Sequence, residues 1–249
     1  MSAEHLSREI NRRQLLELMA AAGAGVLVGC GGSTASSTTT TTTSTGTSSA
    51  SCVLSPALTV GPYFVDEKLN RSDLTADTND VNVTEAMPLA LAITVQQYSS
   101  SGCSPLSGAQ VDLWHADAGG KYSDENSEGT TGETYLRGYQ VTDSSGLASF
   151  KTIFPGWYSG RTVHIHAMVR LFDSTGSQTF EWETQFFFDP TLTTQIMATA
   201  PYNTRGTPDT SNSADNIYSQ SGGKTLLNLT KDSGASGYSA AITLGVQTS

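Results

Sequence analysis

Two histidines and two tyrosines are the residues with chemistry to offer. His164 and His166 stand two apart in Thr162-Val163-His164-Ile165-His166-Ala167. In an extended strand, side chains two apart share a face, about 6–7 Å apart along the backbone, so both imidazoles can reach one metal ion. A His-x-His pair alone also fits two solvent-facing histidines on a half-exposed strand. The text around it tightens the reading. Phe154-Pro155-Gly156-Trp157-Tyr158 sets a tyrosine behind a Pro-Gly turn just upstream, and Arg161 stands three residues before the first histidine. A second marked segment is Val111-Asp112-Leu113-Trp114-His115-Ala116-Asp117-Ala118-Gly119-Gly120-Lys121-Tyr122-Ser123.

The elements that must hold these residues read as strands. Alternation and β-branched content predict strands over 89–96, 109–115, 138–142, 147–152, 162–172, 178–188 and 238–246. Turn signals separate many of them: Asp143-Ser144-Ser145-Gly146, Asp173-Ser174-Thr175-Gly176 and Asp232-Ser233-Gly234. A helix is expected over 192–199, entered through Asp189-Pro190-Thr191, and a polar, irregular loop over 201–215. Many short strands, tight turns and little helix imply an all-β antiparallel sandwich or barrel, and we read it as a sandwich. On strand 162–172, Val163, Ile165, Ala167, Val169 and Leu171 form a core face. Thr162, His164, His166, Met168 and Arg170 form the other.

The chain has 249 residues, 13 Lys+Arg and 23 Asp+Glu, for a formal net charge of -10. That surplus of acid argues against nucleic-acid partners and against unspecific adhesion to anionic membranes. Residues 1–29 read as an export signal. Asn11-Arg12-Arg13-Gln14-Leu15-Leu16 is a twin-arginine pattern, and the apolar run 18–28 that follows is too short to span a bilayer. The run ends in Leu27-Val28-Gly29-Cys30, which resembles a lipoprotein cleavage box with Cys30 as the lipidated residue. A plain secretory signal is the other reading. Residues 30–51, dominated by Ser and Thr, read as a flexible tether, and 52–249 as one domain. Two cysteines remain, Cys52 and Cys103. In an oxidising compartment they most simply pair, closing a loop worth about 4 kcal/mol on a chain-entropy account. Two buried free thiols are the alternative.

Taken together, these segments resemble the intradiol ring-cleaving dioxygenases, the family of catechol and protocatechuate dioxygenases, in an exported single-domain form. The resemblance runs from Gly61-Pro62-Tyr63-Phe64 through Gly120-Lys121-Tyr122, Leu136-Arg137-Gly138 and Pro155-Gly156-Trp157-Tyr158 to Arg161…His164-Ile165-His166 and Thr184-Gln185-Phe186. It covers most of residues 52–220. It implies a β-sandwich with one non-haem Fe(III) per chain, held by Tyr122, Tyr158, His164 and His166. Tyr158 and His166 would be the axial pair. Two hard phenolates and a hydroxide suit a trivalent cation, which ionises phenols that are neutral at pH 7 when free. The pattern offers no carboxylate for a facial Fe(II) triad, and catalytic zinc rarely takes two tyrosines. The implied reaction opens a catechol between its hydroxyl-bearing carbons with O2, giving a cis,cis-muconic acid. By the same resemblance Arg161 steadies charge developing on the ring, Gln185 shapes the oxygen side, and Pro62 and Tyr63 line the substrate's entrance.

Other readings stay open at this level. Gln185 also fits a buried, satisfied amide, and Trp114, His115 and Trp157 fit packing. Residues 1–60 offer no amphipathic helix of the kind with which many cytosolic catechol dioxygenases dimerise, so no oligomeric state follows. A non-catalytic cell-surface β-sandwich that binds a ligand is the competing function.

Overall fold

The computed structural model describes residues 53–248 apart from 77 and 235. The expected signal, the tether, Cys30 and Cys52 lie outside the described residues. Cys103 is disulfide-bonded.

Two sheets carry the fold. The first is built on β1 (Pro88–Ser99), which pairs antiparallel with β5 (Leu147–Ile153) and, further along, with β2 (Gly102–Pro105). It also pairs parallel with β9 (Tyr238–Val246), and β9 takes the two-residue β8 (Thr230–Lys231) at its start. The second sheet is antiparallel throughout. Its order is β4 (Arg137–Val141), β3 (Gln110–Trp114), β6 (His164–Phe172), β7 (Gln178–Phe187). Leu89, Leu91, Ile93 and Val95 of β1 share one buried cluster with Val111 and Leu113 of β3 and Ile165, Ala167 and Val169 of β6. That is the sandwich core the alternating pattern anticipates.

Strand β6 departs from simple alternation, because both of its faces are buried. Its second face carries His164, His166, Met168 and Arg170, each at most 4% exposed. Segments outside the strands cover that face. Met168, Trp114, Ala116 and Tyr122 form a small cluster with Val60, Tyr63, Phe64 and Tyr158 packed on it. The solvent-facing reading of the two histidines is therefore excluded.

The described residues also form three short α-helices, α1 (Val81–Thr84), α2 (Pro190–Met197) and α3 (Asn216–Ser221), and a single 3-10 turn, Asn126–Glu128, between β3 and β4. Helix α2 follows the expected signal, with Asp189 accepting from the Leu192 amide. The segment 201–215 is irregular apart from two single turns, Tyr202–Arg205 and Asn212–Ala214. It is not loose at its start. The fully buried Tyr202 donates its hydroxyl to the Phe154 carbonyl and accepts from the Met87 amide.

Candidate metal centre

The two histidines are placed by the sheet. In β6, His164 sits opposite Phe187 of β7. His166 sits between Trp114 of β3 and Gln185 of β7. Pairing on both sides of His166 fixes its backbone register. His164 Nδ1 lies 2.6 Å from the Thr162 carbonyl. A carbonyl only accepts, so Nδ1 carries the proton and Nε2 presents its lone pair. That Nε2 lies 3.1 Å from His166 Nε2 and 3.2 Å from the Tyr158 hydroxyl. His166 is steadied by a ring instead: Trp114 stacks on it at 4.9 Å and 11°.

The two tyrosines come from loops. Tyr158 lies between β5 and β6, half-buried, its ring 5.5 Å from that of His164. Tyr122 lies between β3 and β4 and is 1% exposed. Its ring is 5.7 Å from Tyr158 and 6.1 Å from His166. The Tyr122 loop is tied at both backbone atoms. Its amide donates to Glu128 Oε2 at 2.6 Å, and its carbonyl accepts from Thr130 Oγ at 2.6 Å. Buried Arg137 braces the same loop through the Ser123 carbonyl and hydroxyl, and it reaches across to the Tyr63 carbonyl.

Two glycines set the loops against each other. A methyl on Gly156 would fall 2.4 Å from the carbonyl oxygens of Asp117 and Ala118. One on Gly120, whose φ is +80°, would fall 2.0 Å from that of Trp157. Only bare backbone fits at either point. A third glycine touches the histidine side. Gly61, φ +73°, passes so close to His166 that an added methyl would sit 3.1 Å from ring atom Cε1.

Around this cluster stand the remaining expected residues. Arg161 donates through Nη2 to Gln185 Oε1 at 2.5 Å, and its Nη1 lies 3.3 Å from His164 Nε2. Gln185 donates in turn to the Thr59 carbonyl. It is a satisfied buried amide and a neighbour of the cluster at once. Tyr63 stacks on Tyr122 at 4.3 Å and meets Tyr158 edge-on at 5.8 Å. Pro62 is exposed, and the atoms of its segment that meet the cluster belong to Gly61 and Tyr63.

His115 stands aside from metal chemistry. Nδ1 donates to the Ala116 carbonyl and Nε2 accepts from Thr152 Oγ, so both nitrogens are engaged. Asp117 supports a turn: its Oδ1 accepts from the Lys121 amide, and its carbonyl from the Gly120 and Gly156 amides. Trp157 is partly buried, with its indole N–H on the Gly206 carbonyl and Arg205 over its ring. Glu128, Arg137 and Asp215 had no assigned role in the sequence, yet all three hold site residues. Their partners are 6 to 74 positions away in the chain, so no local spacing reveals them.

Burial sets the charge state. It lowers His164 to about 3, with the Arg161 charge adding to the effect, and takes His166 well below its ordinary value. It raises Tyr158, and raises Tyr122 far above the usual phenol range. Without a cation, all four groups are neutral in this pocket. The buried Tyr122 hydroxyl also meets no hydrogen-bond partner, an arrangement that costs about 1–3 kcal/mol if nothing compensates it. Among the described residues no three His, Cys, Asp or Glu side chains gather into a metal-binding group. What converges is two imidazoles and two phenols. That donor set fits a hard trivalent cation, which ionises the phenols and satisfies the stranded hydroxyl.

A dioxygenase family model matches residues 59–214, more than half of the chain and all four of these residues. The chain belongs to the dioxygenase family, and within it to the enzymes that cleave aromatic rings in the intradiol manner. An intradiol ring-cleavage dioxygenase from Tetranychus urticae is 27% identical, with a TM-score of 0.68, over 79% of this chain and 96% of that one. The dioxygenase domain of a dioxygenase–carbohydrate-binding fusion from Streptomyces sp. SirexAA-E is 28% identical, with a TM-score of 0.55, over 78% and 99%. Catechol 1,2-dioxygenase from Pseudomonas arvilla C-1 shares the fold at 21% identity and a TM-score of 0.54, over 78% and 62%. Among curated proteins no sequence matches the chain.

Proposed function

We propose that the protein is an exported Fe(III) dioxygenase that opens catechol-type rings with O2 to cis,cis-muconic acids. The observation that carries the metal is the convergence of Tyr122, Tyr158, His164 and His166, with the buried Tyr122 hydroxyl left without a partner. Those four residues would hold the ion. Bound there, Fe(III) would draw electron density from a catecholate and open the ring to attack by O2.

The protein's own groups divide the remaining work. Tyr158 is the less buried of the two phenols. It is the one with room to move and take a proton from an incoming catechol. Tyr122, packed under Tyr63, stays in place. Arg161 holds a fixed positive charge beside His164 on a largely buried side chain, where it counts for more than in solvent. Gln185 anchors that guanidinium. Export, a lipid at Cys30 and a Cys52–Cys103 bridge belong to the same proposal and rest on the sequence patterns.

The visible spectrum of the purified protein, before and after anaerobic catechol, tests it. A tyrosinate-to-Fe(III) charge-transfer band that shifts with catechol, followed by O2 uptake and muconate release in air, is the expected result. A protein that stays colourless after Fe(III) loading removes this function and favours the ligand-binding sandwich.

A further inference from the structure

Asp215 stands just past the span matched by the family model, at the start of α3. We propose that it is a positioning residue for ring cleavage: its carboxylate fixes the Arg161 guanidinium so that Nη1 faces the reacting centre. The inference rests on the function proposed above.

Arginine is long, and a side chain left to itself turns toward water. The Arg161 side chain is only 20% exposed. Its Nε donates to Asp215 Oδ2 at 2.8 Å, and its Nη2 to Gln185 Oε1 at 2.5 Å. The guanidinium is a flat, rigid fork, so tying two of its nitrogens determines where the third points. The third is Nη1, 3.3 Å from His164 Nε2.

The clamp is itself clamped. The Asp215 side chain is 1% exposed. Its Oδ2 also accepts from the Thr162 amide at 2.9 Å, and its Oδ1 from the Ile217 and Tyr218 amides at 2.8 and 3.0 Å. One carboxylate therefore joins three things: the cap of α3, the entry of β6 two residues before His164, and Arg161. The neighbouring turn repeats the tie. Thr162 Oγ donates to Asn212 Oδ1, and Asn212 donates to the Phe188 carbonyl.

The cap and the clamp are chemically separable. Asn caps a helix as well as Asp does, through Oδ1. The amide nitrogen of an asparagine cannot accept from Arg161 Nε. Asp215→Asn therefore keeps α3 and frees Arg161, together with the Thr162 amide that shares the same oxygen; the double variant separates the two losses. Asp215→Ser, whose hydroxyl caps but is too short to reach the guanidinium, is the second variant.

The test uses the iron-loaded full chain and four proteins: wild type, Asp215→Asn, Arg161→Gln and the double variant, with Asp215→Ser beside them. Asp215→Asn is expected to keep its iron, its charge-transfer band and the anaerobic spectral shift with catechol. Its kcat should fall about tenfold or more with KM little changed, as misplacing a group near the reacting atoms does. The double variant should turn over no more slowly than Arg161→Gln alone, because the carboxylate acts through that arginine. Asp215→Ser should behave like Asp215→Asn. Full turnover in both single Asp215 variants overturns the proposal. So does a loss in the double variant equal to the product of the single losses, or iron lost from both Asp215 variants, since these mark a merely structural role. A wild type with no charge-transfer band fails at the earlier step, and the function and the clamp fall together.

Discussion

The histidine half and the tyrosine half of the centre are built in opposite ways. His164 and His166 ride on β6, which is paired on both edges beside His166. Their aim follows from strand geometry, and regular backbone hydrogen bonds hold it. Tyr122 and Tyr158 sit on no strand. Their aim depends on two loops pressed backbone to backbone at Gly120 and Gly156, and on single ties from Glu128 and Thr130. The contrast suggests that the sheet supplies a fixed pair of neutral nitrogens. The loops supply the phenols, and of these Tyr158 is the less buried.

The sharpest way to break this contrast is to add one methyl group to the tyrosine half. In Gly120→Ala the new carbon would lie 2.0 Å from the Trp157 carbonyl, at a φ of +80° that alanine disfavours. The two loops must separate. A loss of about 3 kcal/mol or more in denaturant unfolding is expected, together with loss of the charge-transfer band. A variant that keeps both would show that the loops do not register each other. Removing a donor from either half comes next. Tyr122→Phe and His164→Ala should each lower iron affinity by more than the roughly 10–100-fold typical of an outer partner. Metal analysis after dialysis reads the result, and iron retained in full by both would mean that these are not the ligands.

The same contrast explains what the sequence made legible. The histidine half could be read because a period of two is written into residues 162–172. The seven predicted strands all form, with ends shifted by up to three residues. Strand β6 starts at His164, because the Thr162 amide and hydroxyl are taken by Asp215 and Asn212. The tyrosine half was visible only through its resemblance to a family, since Gly120 and Gly156 owe their role to residues far along the chain. Short elements escaped as well. Strand β2 is four residues without alternation, and β8 is two. Helix α3 did leave a trace, with Asp215 at its N-cap and left-handed Gly222 at its end, inside a polar stretch lacking an apolar stripe. That both faces of β6 are buried could not be foreseen, because the covering segments are irregular.

Asp117 offers a pH-dependent test of the loop half. Burial raises its carboxyl to about 6. A carboxyl whose folded pKa lies above its unfolded value near 3.9 favours the folded state while protonated. That advantage is whole below about pH 4, declines as pH rises through 6, and is absent above. Its buried Oδ2 also has no hydrogen-bond partner. Asp117→Asn keeps an acceptor for the Lys121 amide and carries no charge. It should unfold at higher denaturant than wild type at pH 8, by about 1–3 kcal/mol, with the difference vanishing at pH 4. An unchanged difference across that range would mean that Asp117 does not titrate there.

The smallest effect is expected where a side chain is removed from the strand half. Gln185 faces His166 across β6 and β7, so its backbone is held whatever its side chain does. Gln185→Ala loses the Nη2 tie on Arg161 and the bond to the Thr59 carbonyl. It leaves both histidines in register. Iron content and the charge-transfer band should be unchanged, and turnover should slow by less than for Asp215→Asn, because Asp215 still holds Nε. A methyl added at Gly120 would then cost the metal, while the four heavy atoms of Gln185 beyond Cβ could be given up without it. Loss of iron from Gln185→Ala would erase the distinction, making the strand half as dependent on side-chain ties as the loops.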